Sequence, residues 1–517
     1  MEFNQPSEII KDLAFSSDAQ NKIMSGVDKL AKAVSSTLGA SGKCVIYEDA
    51  LGKPIVTKDG VTVANSVVLM DPVENIGATL IKEAAQKTVK EAGDGTTTST
   101  VLAHSILQKY IEQKPEDLRQ VKSDILEASE KVVKYLESTA TPVKDDMLSH
   151  VANISTNNDN FLGELIADTY NKIGKNGVVL MEESDSNETF IDIIDGIQFD
   201  SGFKSQHLIT DKEKNKVELD KPLVLLVESE ITSIRKIQNV LEFAIKNNRS
   251  ILIIGNVAQQ PLSALIMNKV KGNIKVNIID PPGFSNLRRE MLDDLALLTG
   301  AKVISEDLGD DLDLIDESAL GEANKVVTDD NNTIITVGEL TDDVKDRIKI
   351  IQKQIKEEKN PYLLKKLEER KAMLSGSVGI IYVGADSKIE LKEKKDRVED
   401  AIYAVKAALK EGIVPGAGVA LHNAADNIAS NDKAGYKILF EAIKAPYKKI
   451  LDNAGITYSP YMKKGWGINV VTGNSVNLIK EGIIDPVLVT KTALKNAVSV
   501  ATTIMSADCI ISNKRQS

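Results

Sequence analysis

The stretch "EAGDGTTTSTVLAHSIL", Glu91 to Leu107, joins a glycine-rich turn to the start of a predicted helix. Apolar residues recur at helical spacing after Ser99, which favours a helix. Threonine is a mediocre helix former, because its branched β-carbon loses rotamer freedom against the preceding turn. Three threonines, Thr96 to Thr98, nevertheless open this helix, directly behind Asp94 and its two flanking glycines. Helix stability alone does not explain that choice of residues.

Phosphate binding would explain it. A helix N-terminus presents unpaired N–H groups and the positive end of the helix dipole, and both attract phosphate. Gly93 and Gly95 would let the backbone approach a ligand closely. The threonine hydroxyls add donors, and Asp94 could hold Mg²⁺ against the same phosphates. The alternative is a Gly-Asp-Gly turn with threonine capping and no ligand, and these six residues alone do not separate the two hypotheses.

Composition and charge limit the class of protein. The 517 residues are 42% hydrophobic, 27% charged and only 4% aromatic, which predicts roughly three domains with aliphatic cores. A net charge of −11 argues against nucleic acid as the main partner, since phosphate backbones bind basic surfaces. The two cysteines and four histidines show neither a disulfide framework nor zinc spacing. Without a secretory segment or a membrane-length apolar run, we expect a soluble, cytoplasmic protein with no membrane partner.

Hydrophobic periodicity predicts a module inserted within another. Helices are predicted over 18–39, with Asp18 as N-cap, and around 72–92, 95–113 and 116–138, with two extended pieces and an Asp59-Gly60 turn between them. From about residue 196, short β-rich runs alternate with helices, which is typical of a compact α/β domain. Two charged helices, about 341–358 and 361–374, close that domain. After Gly376 the pattern becomes helical again.

Five motifs occur in an order that closely resembles the ATP site of group I chaperonins, the GroEL type. They are "TLGASGK" (37–43), "TKDGVTVA" (57–64), "GDGTTTSTVLA" (93–103), "KEKKDRVEDA" (392–401) and "EGIVPGAGVAL" (411–421). The resemblance covers nearly the whole chain and implies a multidomain α+β chaperonin fold. It implies a mainly helical equatorial domain (1–138 and 412–517), a small intermediate domain (139–194 and 378–411) and an inserted α/β apical domain (195–377).

The resemblance also assigns roles to individual residues. Asp59 would polarise the attacking water, and Asp400 would complete the catalytic site by moving onto the nucleotide as the domains close. Asp94 would hold Mg²⁺, and the backbone carbonyls of Thr37 and Lys58 would bind K⁺. Such a site needs no catalytic histidine, because phosphoryl transfer to water depends mostly on positioning and charge neutralisation. Candidate hinges are Gly196, Gly376 and Gly412. The ATP-binding set is Thr37, Leu38, Gly39, Ala40, Lys58, Asp94, Gly95, Thr96, Thr97, Thr98, Gly416, Ala417, Asn469 and Asp485.

Each catalytic assignment has a simpler alternative. Asp59 would then be only a turn residue, and Asp400 only a solvated carboxylate on a charged helix. For each residue considered alone, the simpler alternative is favoured. Within the complete set of motifs, the catalytic roles are favoured.

The resemblance places client binding on apolar residues of the apical domain. These are Phe203 and Leu208 on an extended segment, Ile237 and Leu241 on a first helix, and Leu262, Leu265, Ile266 and Met267 on a second. A groove containing methionine suits varied partners because it can repack around them. The alternative, that these residues are helix core, is equally favoured for Ile237 and Leu265. Lys204, His207 and Gln238 make the groove more polar than is usual, which leaves open whether a lid co-chaperonin docks there.

Several departures mark a divergent member of the family. Ala40 replaces the usual proline, and Ala417 stands in the usual glycine trio. The helix after "GDGTTT" and the segment 451–470 are both shorter than usual, and Ile456 and Thr457 stand where an acidic residue is expected. These two places make the contacts between rings in double-ring relatives. We therefore expect single or weakly paired rings, the alternative being that shorter loops pair through different contacts.

The sequence thus predicts an ATP-dependent protein-folding chaperonin, an ATP hydrolase that acts as a heptameric ring on non-native polypeptides. The first alternative is a ring-forming holding protein with little productive ATPase, against which the presence of Asp59, Asp94 and Asp400 argues. A small-molecule kinase or ligase would need an acceptor pocket, for which no motif is found.

Overall fold

The computed structural model describes residues 11–49, 52–144, 147–156, 159–174, 177–212, 215–283, 286–338, 341–358, 360–374, 377–429, 432–459 and 463–513. The chain forms two compact units. Unit 1 combines the chain up to Asn171 with residues 183–189 and the chain from Val383 onward, and unit 2 comprises 172–182 and 190–382. The finer division of unit 1 into equatorial and intermediate domains stays a prediction.

Unit 1 is mainly helical around an aliphatic core that includes Leu30, Ile81, Leu102 and Leu494, all fully buried. Its helices are α1 (Ser16–Ser35), α2 (Gly60–Ser66), α3 (Pro72–Ala92), α4 (Thr96–Gln113), α5 (Leu118–Thr139), α6 (Leu148–Ser155), α7 (Asn160–Ile173), α13 (Lys388–Glu411), α14 (Val419–Asn427), α15 (Ala434–Ala442), α16 (Ala445–Asn453) and α17 (Val487–Met505). Antiparallel strand pairs complete it: β1 (Lys11–Phe15) with β19 (Cys509–Asn513), β2 (Val45–Glu48) with β3 (Pro54–Thr57), β15 (Ile413–Pro415) with β18 (Ile484–Pro486), and β16 (Trp466–Ile468) with β17 (Ser475–Asn477). None of the helices in the described ranges is long and apolar enough to cross a membrane.

Two details of the predicted helices are wrong. The first helix begins at Ser16 with Phe15 as its N-cap, so Asp18 lies in the first turn and caps nothing. An acidic residue is favourable there because it faces the positive end of the helix dipole. The Asp59-Gly60 turn is instead the start of α2, where Asp59 is the N-cap. The predictions around 72–92, 95–113 and 116–138 are confirmed by α3, α4 and α5.

Unit 2 contains two sheets. Strands β7 (Leu223–Val227), β8 (Ile251–Ile254), β9 (Val276–Ile279) and β10 (Val303–Ile304) are parallel in the order β10-β7-β8-β9, with β11 (Gly321–Glu322) antiparallel to β7. A second sheet has the order β4 (Val178–Glu183), β14 (Ser377–Val383), β5 (Phe190–Phe199), β13 (Thr333–Thr336), β12 (Lys325–Thr328) and β6 (Val217–Asp220). The helices are α8 (Gln238–Lys246), α9 (Gln259–Val270), α10 (Asn286–Thr299), α11 (Asp342–Glu357) and α12 (Pro361–Leu374).

The alternation of strand and helix confirms the predicted α/β domain. Strands β7, β8 and β9 are buried along their whole length, which is why they appear in the sequence as continuous apolar runs. Of the candidate hinges, Gly196 pairs with Thr336 inside a sheet. Gly412 has a φ of +84° and links α13 to β15, and Gly376 lies outside the described residues.

Candidate functional site

The N-termini of α2 and α4 meet at the Gly-Asp-Gly turn. Gly93 and Gly95 have φ angles of +77° and +96°, in the left-handed region that favours glycine. A β-carbon added to Gly60, the first residue of α2, would lie 2.2 Å from Thr97 Oγ1. No side chain caps α4, so no capping side chain occupies the N–H groups of its first turn. Both helix dipoles therefore favour negative charge at this point.

Four aspartates approach this space. Burial raises the pKa of Asp94, and the nearby charge of Asp59 raises it further. Burial also raises the pKa of Asp400 well above its usual range, and the negative charges of Asp94 and Asp59 contribute to the same increase. Burial raises the pKa of Asp485 to about 7, with a further contribution from Asp94. The carboxylates are therefore close enough to repel one another, and a divalent cation would relieve that repulsion.

Asp400 reaches this cluster because α13 packs against the Gly-Asp-Gly turn. A β-carbon on Gly93 would lie only 2.3 Å from the β-carbon of Tyr403, less than one helical turn after Asp400. The Tyr170 hydroxyl of α7 donates to the Ile402 carbonyl at 3.3 Å. The charges of Asp94 and Asp59 act on Asp400, and its role in completing the site stays a prediction.

Asp59 is held firmly by its own helix. One carboxylate oxygen accepts the Val61 N–H at 3.1 Å, and the other accepts the Thr62 N–H at 2.7 Å. The backbone N–H of Asp59 in turn donates to the Thr57 hydroxyl at 3.0 Å. The side chain is partly buried. Its orientation is thus determined by backbone groups of α2, as a residue that positions a water molecule requires.

The loop before α14 is bonded to the segment that carries Asp485. Its Gly416 N–H donates to the Ile483 carbonyl at 2.9 Å, and a β-carbon on Gly416 would lie 2.9 Å from the Ile484 nitrogen. The Gly418 N–H donates to Asp485, which pairs with Val414 across β15 and β18. The loop is therefore fastened to β18 on both sides of Ala417.

Ala417 itself has a φ of +54°. Alanine pays roughly 1–2 kcal/mol for a left-handed conformation that glycine adopts freely. The departure from the usual glycine trio therefore places a methyl group and backbone strain in the loop that faces Asp485.

The "TLGASGK" loop is anchored by α16. Asn453 donates its side-chain amide to the Ser35 and Leu38 carbonyls, at 3.0 and 2.9 Å. Gly39, with a φ of +83°, leaves room for Ile450, which would lie 3.1 Å from a β-carbon there. The Thr37 hydroxyl donates to the Val34 carbonyl at 2.8 Å, so this threonine offers a ligand mainly its backbone. Three further residues of the predicted set lie at this loop or after β3: Leu38 and Lys58 are partly buried and Ala40 is exposed.

Asn469 occupies the turn between β16 and β17. Its side-chain oxygen accepts the Val471 N–H at 3.0 Å and the Thr472 N–H at 3.4 Å. The carbonyl therefore stabilises its own turn, and the amide group remains for a ligand. Its contact with a nucleoside stays a prediction.

Within the described ranges, no group of three or more histidine, cysteine, aspartate or glutamate side chains is arranged to hold a metal ion by itself. A Mg²⁺ ion at Asp94 would accordingly take most of its oxygen ligands from phosphate and water, which is how this ion is usually bound. The donor set of the site, with helix N–H groups, hydroxyls and carboxylates, fits a magnesium–nucleotide complex.

The predicted client-binding residues of unit 2 differ in exposure. Met267 is 57% exposed, and Phe203, Leu262 and Ile266 are partly buried against the core. Leu208, Ile237 and Leu241 are buried in that core, as is Leu265. The expectation that these buried residues face a client groove is not supported, and the helix-core alternative describes Ile237 and Leu265. Helical periodicity does not distinguish a core face from a binding face, because both are apolar.

Sequence reasoning missed the residues that hold the site together. Tyr403, Tyr170 and Asn453 contact the functional loops but belong to no short motif. Each acts across a large separation in sequence, and no local pattern indicates such a contact. The sequence identified Gly60 only as a turn residue, although the Thr97 hydroxyl can lie against it only because Gly60 has no side chain.

Comparison with known proteins gives a consistent result. The model of the TCP-1/cpn60 chaperonin family matches residues 30–515. Among solved structures, the chaperonin gp146 from the bacteriophage EL 2 (Pseudomonas aeruginosa), crystallised in the presence of ATP-BeFx, is similar in two crystal forms. Form II has a TM-score of 0.72 at 22% identity, and form I has 0.64 at 23% identity. Each alignment covers 97% of this chain and 99% of the other.

Proposed function

The chain belongs to the TCP-1/cpn60 chaperonin family, and we propose that it is an ATP-dependent molecular chaperone that hydrolyses ATP to promote the folding of non-native proteins. The observation that carries the proposal is the close packing of α2 and α13 against the start of α4 and its turn, at Gly60 and Gly93. Burial and the charge of Asp59 raise the pKa of Asp94 there, and burial with the charges of both raises the pKa of Asp400. A holding protein without ATP hydrolysis would have no use for three mutually repelling, partly buried carboxylates.

The residues would hold Mg-ATP as follows. The N–H groups and hydroxyls of Thr96 to Thr98 bind phosphate oxygens, and Asp94 holds Mg²⁺ beside them. The carbonyls of Thr37 and Lys58 hold K⁺. The loop around Gly416 and Ala417, with Asn469 and Asp485, holds the nucleoside. Mg²⁺ supplies charge neutralisation for the phosphoryl group when it is bound. The gp146 chaperonin, which has a similar fold, was crystallised in the presence of ATP-BeFx, and this supports the proposal that the present chain binds a nucleotide.

Hydrolysis requires an oriented water molecule and neutralisation of the negative charge on the phosphoryl group. Asp59 is oriented by the Val61 and Thr62 N–H groups, so its carboxylate can position the water without reorganisation. Asp400 closes the site from α13. In its carboxylate form, Asp400 would accept the proton of the attacking water.

Assembly into homo-oligomeric rings is supported by exposed strands of unit 1. Leu13 and Phe15 of β1 and Ile511 of β19 are 49%, 55% and 60% exposed. In the hairpin of β2 and β3, Ile46 and Val56 are 69% and 53% exposed. Two-stranded sheets with apolar faces are marginal alone and invite pairing with another chain. The heptameric ring and its cytoplasmic location are parts of the proposal.

Clients would contact the part of unit 2 that is accessible at α9. Met267 is exposed there, and Val270, 66% exposed, follows on the same helix. Leu262 and Ile266 flank them with partly exposed surface. An apolar surface that includes methionine can adapt to many sequences.

ATP turnover and refolding of a denatured client, measured on the same purified protein, test the proposal. We expect Mg²⁺-dependent hydrolysis and a refolding yield that rises with ATP. Suppressed aggregation without hydrolysis would instead identify a holding protein. Hydrolysis that depends on a small acceptor molecule and leaves clients unaffected would identify a kinase or ligase.

A further inference from the structure

Helix α6 contacts the turn that precedes β18. The His150 imidazole lies against Gly482, and a β-carbon added to that glycine would stand 2.5 Å from Nδ1 and 2.6 Å from Cγ. Gly482 is buried and has a φ of +71°, whereas His150 is exposed. The imidazole therefore covers a bare stretch of backbone, and only glycine leaves room for it. No motif of the sequence indicates this contact, because the two residues lie far apart in the chain.

The turn at Gly482 fastens the loop before α14, which we call the nucleoside loop. The carbonyl of the next residue, Ile483, accepts the Gly416 N–H at 2.9 Å. Two residues further along β18, Asp485 accepts the Gly418 N–H. A displacement of the turn would therefore move both attachments of the nucleoside loop.

Helix α6 also packs against α13, the helix that carries Asp400. Leu148, Val151 and Ala152 of α6 are buried, whereas His150 extends from the same helix to the turn. One short helix thus contacts both α13 and β18. The position of Asp400 relative to the nucleoside loop consequently depends on how α6 is seated on each of them.

A second attachment joins the same parts of unit 1. Thr141, in the segment before α6, pairs with Ile413 of β15 through two backbone hydrogen bonds of 2.9 Å each, and β15 pairs with β18. This attachment consists of backbone groups, whereas the contact at Gly482 depends on the single side chain of His150. One point of attachment permits rotation, and two points fix an orientation. The His150 contact is therefore the one that a substitution can remove selectively.

We infer that His150 is a positioning residue for ATP hydrolysis, and that its contact with Gly482 fixes the orientation of the nucleoside loop relative to Asp400. The inference rests on the proposed chaperone ATPase and adds to its site a residue outside the five sequence motifs. His150 need not touch the nucleotide, because it acts through the turn and through α6. A misplacement of reacting groups by about 1 Å can cost roughly 10²-fold in rate, so the loss of one attachment should be measurable.

The test compares kcat for ATP hydrolysis, ATP affinity and the free energy of unfolding among variants of the full-length protein. His150→Ala removes the contact, and His150→Phe keeps a flat ring at the same place. Gly482→Ala adds a methyl group that collides with the imidazole, and a double variant combines it with His150→Ala. Gly455→Ala is the matched control. Gly455 has the same φ, +71°, and beyond its chain neighbours no heavy atom of the described residues lies within 4 Å of an added β-carbon.

We expect His150→Ala to lower kcat about five- to tenfold and to change ATP affinity less than about threefold, because the hydrogen bonds of the nucleoside loop remain. His150→Phe should retain at least about half of the wild-type kcat. Gly482→Ala should lower kcat more than Gly455→Ala does, and this excess should disappear in the double variant, where the methyl group has room. The free energy of unfolding of His150→Ala should change no more than that of Gly455→Ala, which separates positioning from a general loss of stability.

A wild-type kcat in His150→Ala would overturn the inference, and so would a loss confined to ATP affinity. Equal effects of Gly482→Ala with and without His150 would overturn it too, because backbone strain rather than the imidazole would then be responsible. A wild-type protein that does not hydrolyse ATP would contradict the proposed function together with this inference. An active wild type with an unaffected His150→Ala variant would contradict this inference alone.

Discussion

Gly93 and Tyr403 lie in direct contact although 310 positions separate them: a β-carbon built on Gly93 would stand 2.3 Å from that of Tyr403. This contact seats α13 on the Gly-Asp-Gly turn and brings Asp400 to Asp94. The bare backbone of Gly93 is thus as important to the site as the carboxylates themselves.

Gly93→Ala should separate α13 from the turn. The added methyl group clashes with Tyr403 and also strains a residue whose φ is +77°, so we expect a loss of roughly 1–3 kcal/mol in the free energy of unfolding. ATP hydrolysis should decrease by at least tenfold, because Asp400 is displaced. Gly272→Ala is the control, since Gly272 has nearly the same φ, +76°, with nothing within 4 Å. Equal effects of the two variants on hydrolysis would show that strain, not the Tyr403 contact, is responsible.

Asp400→Ala should bind ATP but hydrolyse it about 10²-fold more slowly, the usual loss for a group that moves a proton. Its removal also lowers the repulsion at Asp94 and Asp59, so the nucleotide-free protein should not be destabilised. Calorimetric titration with ATP and steady-state phosphate release measure the two effects separately. Glu390→Ala, an exposed change at the start of the same helix, should alter neither. Near-normal turnover of Asp400→Ala would exclude the catalytic role.

Asp485 should make the nucleotide-free protein less stable as the pH rises. Burial raises its pKa to about 7 from an ordinary value of 3.8, so between these values the folded state binds more protons than the unfolded state. The free energy of unfolding then falls with increasing pH across that window. The Asp485→Asn variant lacks this titrating group. Its free energy of unfolding relative to wild type should therefore rise by roughly 1–3 kcal/mol between pH 4 and pH 8. This range is smaller than the full pKa shift implies, because solvent reaches the side chain. Thermal melts across this range, with exposed Asp12→Asn as the control, measure it. Parallel curves for Asp485→Asn and wild type would contradict the prediction.

Asp294→Ala should destabilise unit 2 strongly. Asp294 is fully buried on α10, where its carboxylate accepts from Arg347 Nε and from Arg370 Nε, each at 2.9 Å. Removing it leaves Arg370 buried without that partner, which typically costs 3–5 kcal/mol, about the loss expected here. Hydrogen exchange of α10, α11 and α12, followed by mass spectrometry, reports the change locally. Asp346→Ala breaks an exposed pair with Lys349 and should cost under about 1 kcal/mol, so similar exchange in both variants would refute the importance of burial.

The particle should be a single ring of chains of 56.1 kDa each, with and without Mg-ATP. In the shortened segment after α16, Ile456 donates its N–H to the Leu451 carbonyl at 2.9 Å, and the Tyr458 hydroxyl contacts His422 Nε2 at 2.7 Å. The segment is thereby held against its own unit, while residues 460–462 lie outside the described ranges. Native mass spectrometry with electron microscopy counts the rings. Stable double rings would show that different contacts rebuilt the interface.

Local sequence patterns predicted most of the helices and strands, and they failed where contacts with distant residues determine the structure. The buried strands of unit 2 and helices α3 to α5 followed from apolar periodicity. The start of α1 did not, because Phe15 passes directly from β1 into the helix, and Ser16 there has a φ of +48°. The burial of Leu208, Ile237 and Leu241 was not predictable either, since the same apolar spacing occurs in a core and on a binding surface.

The sequence by itself determined the family, the α/β insertion and the chemical character of the "GDGTTT" site, because these depend on residue types at short spacing. Only the tertiary structure decided that the charge of Asp94 raises the pKa values of both Asp400 and Asp485, and that Tyr403 and Asn453 contact the loops of the site. Those features arise from contacts between residues far apart in the chain. Packing, rather than any local preference, selects such contacts.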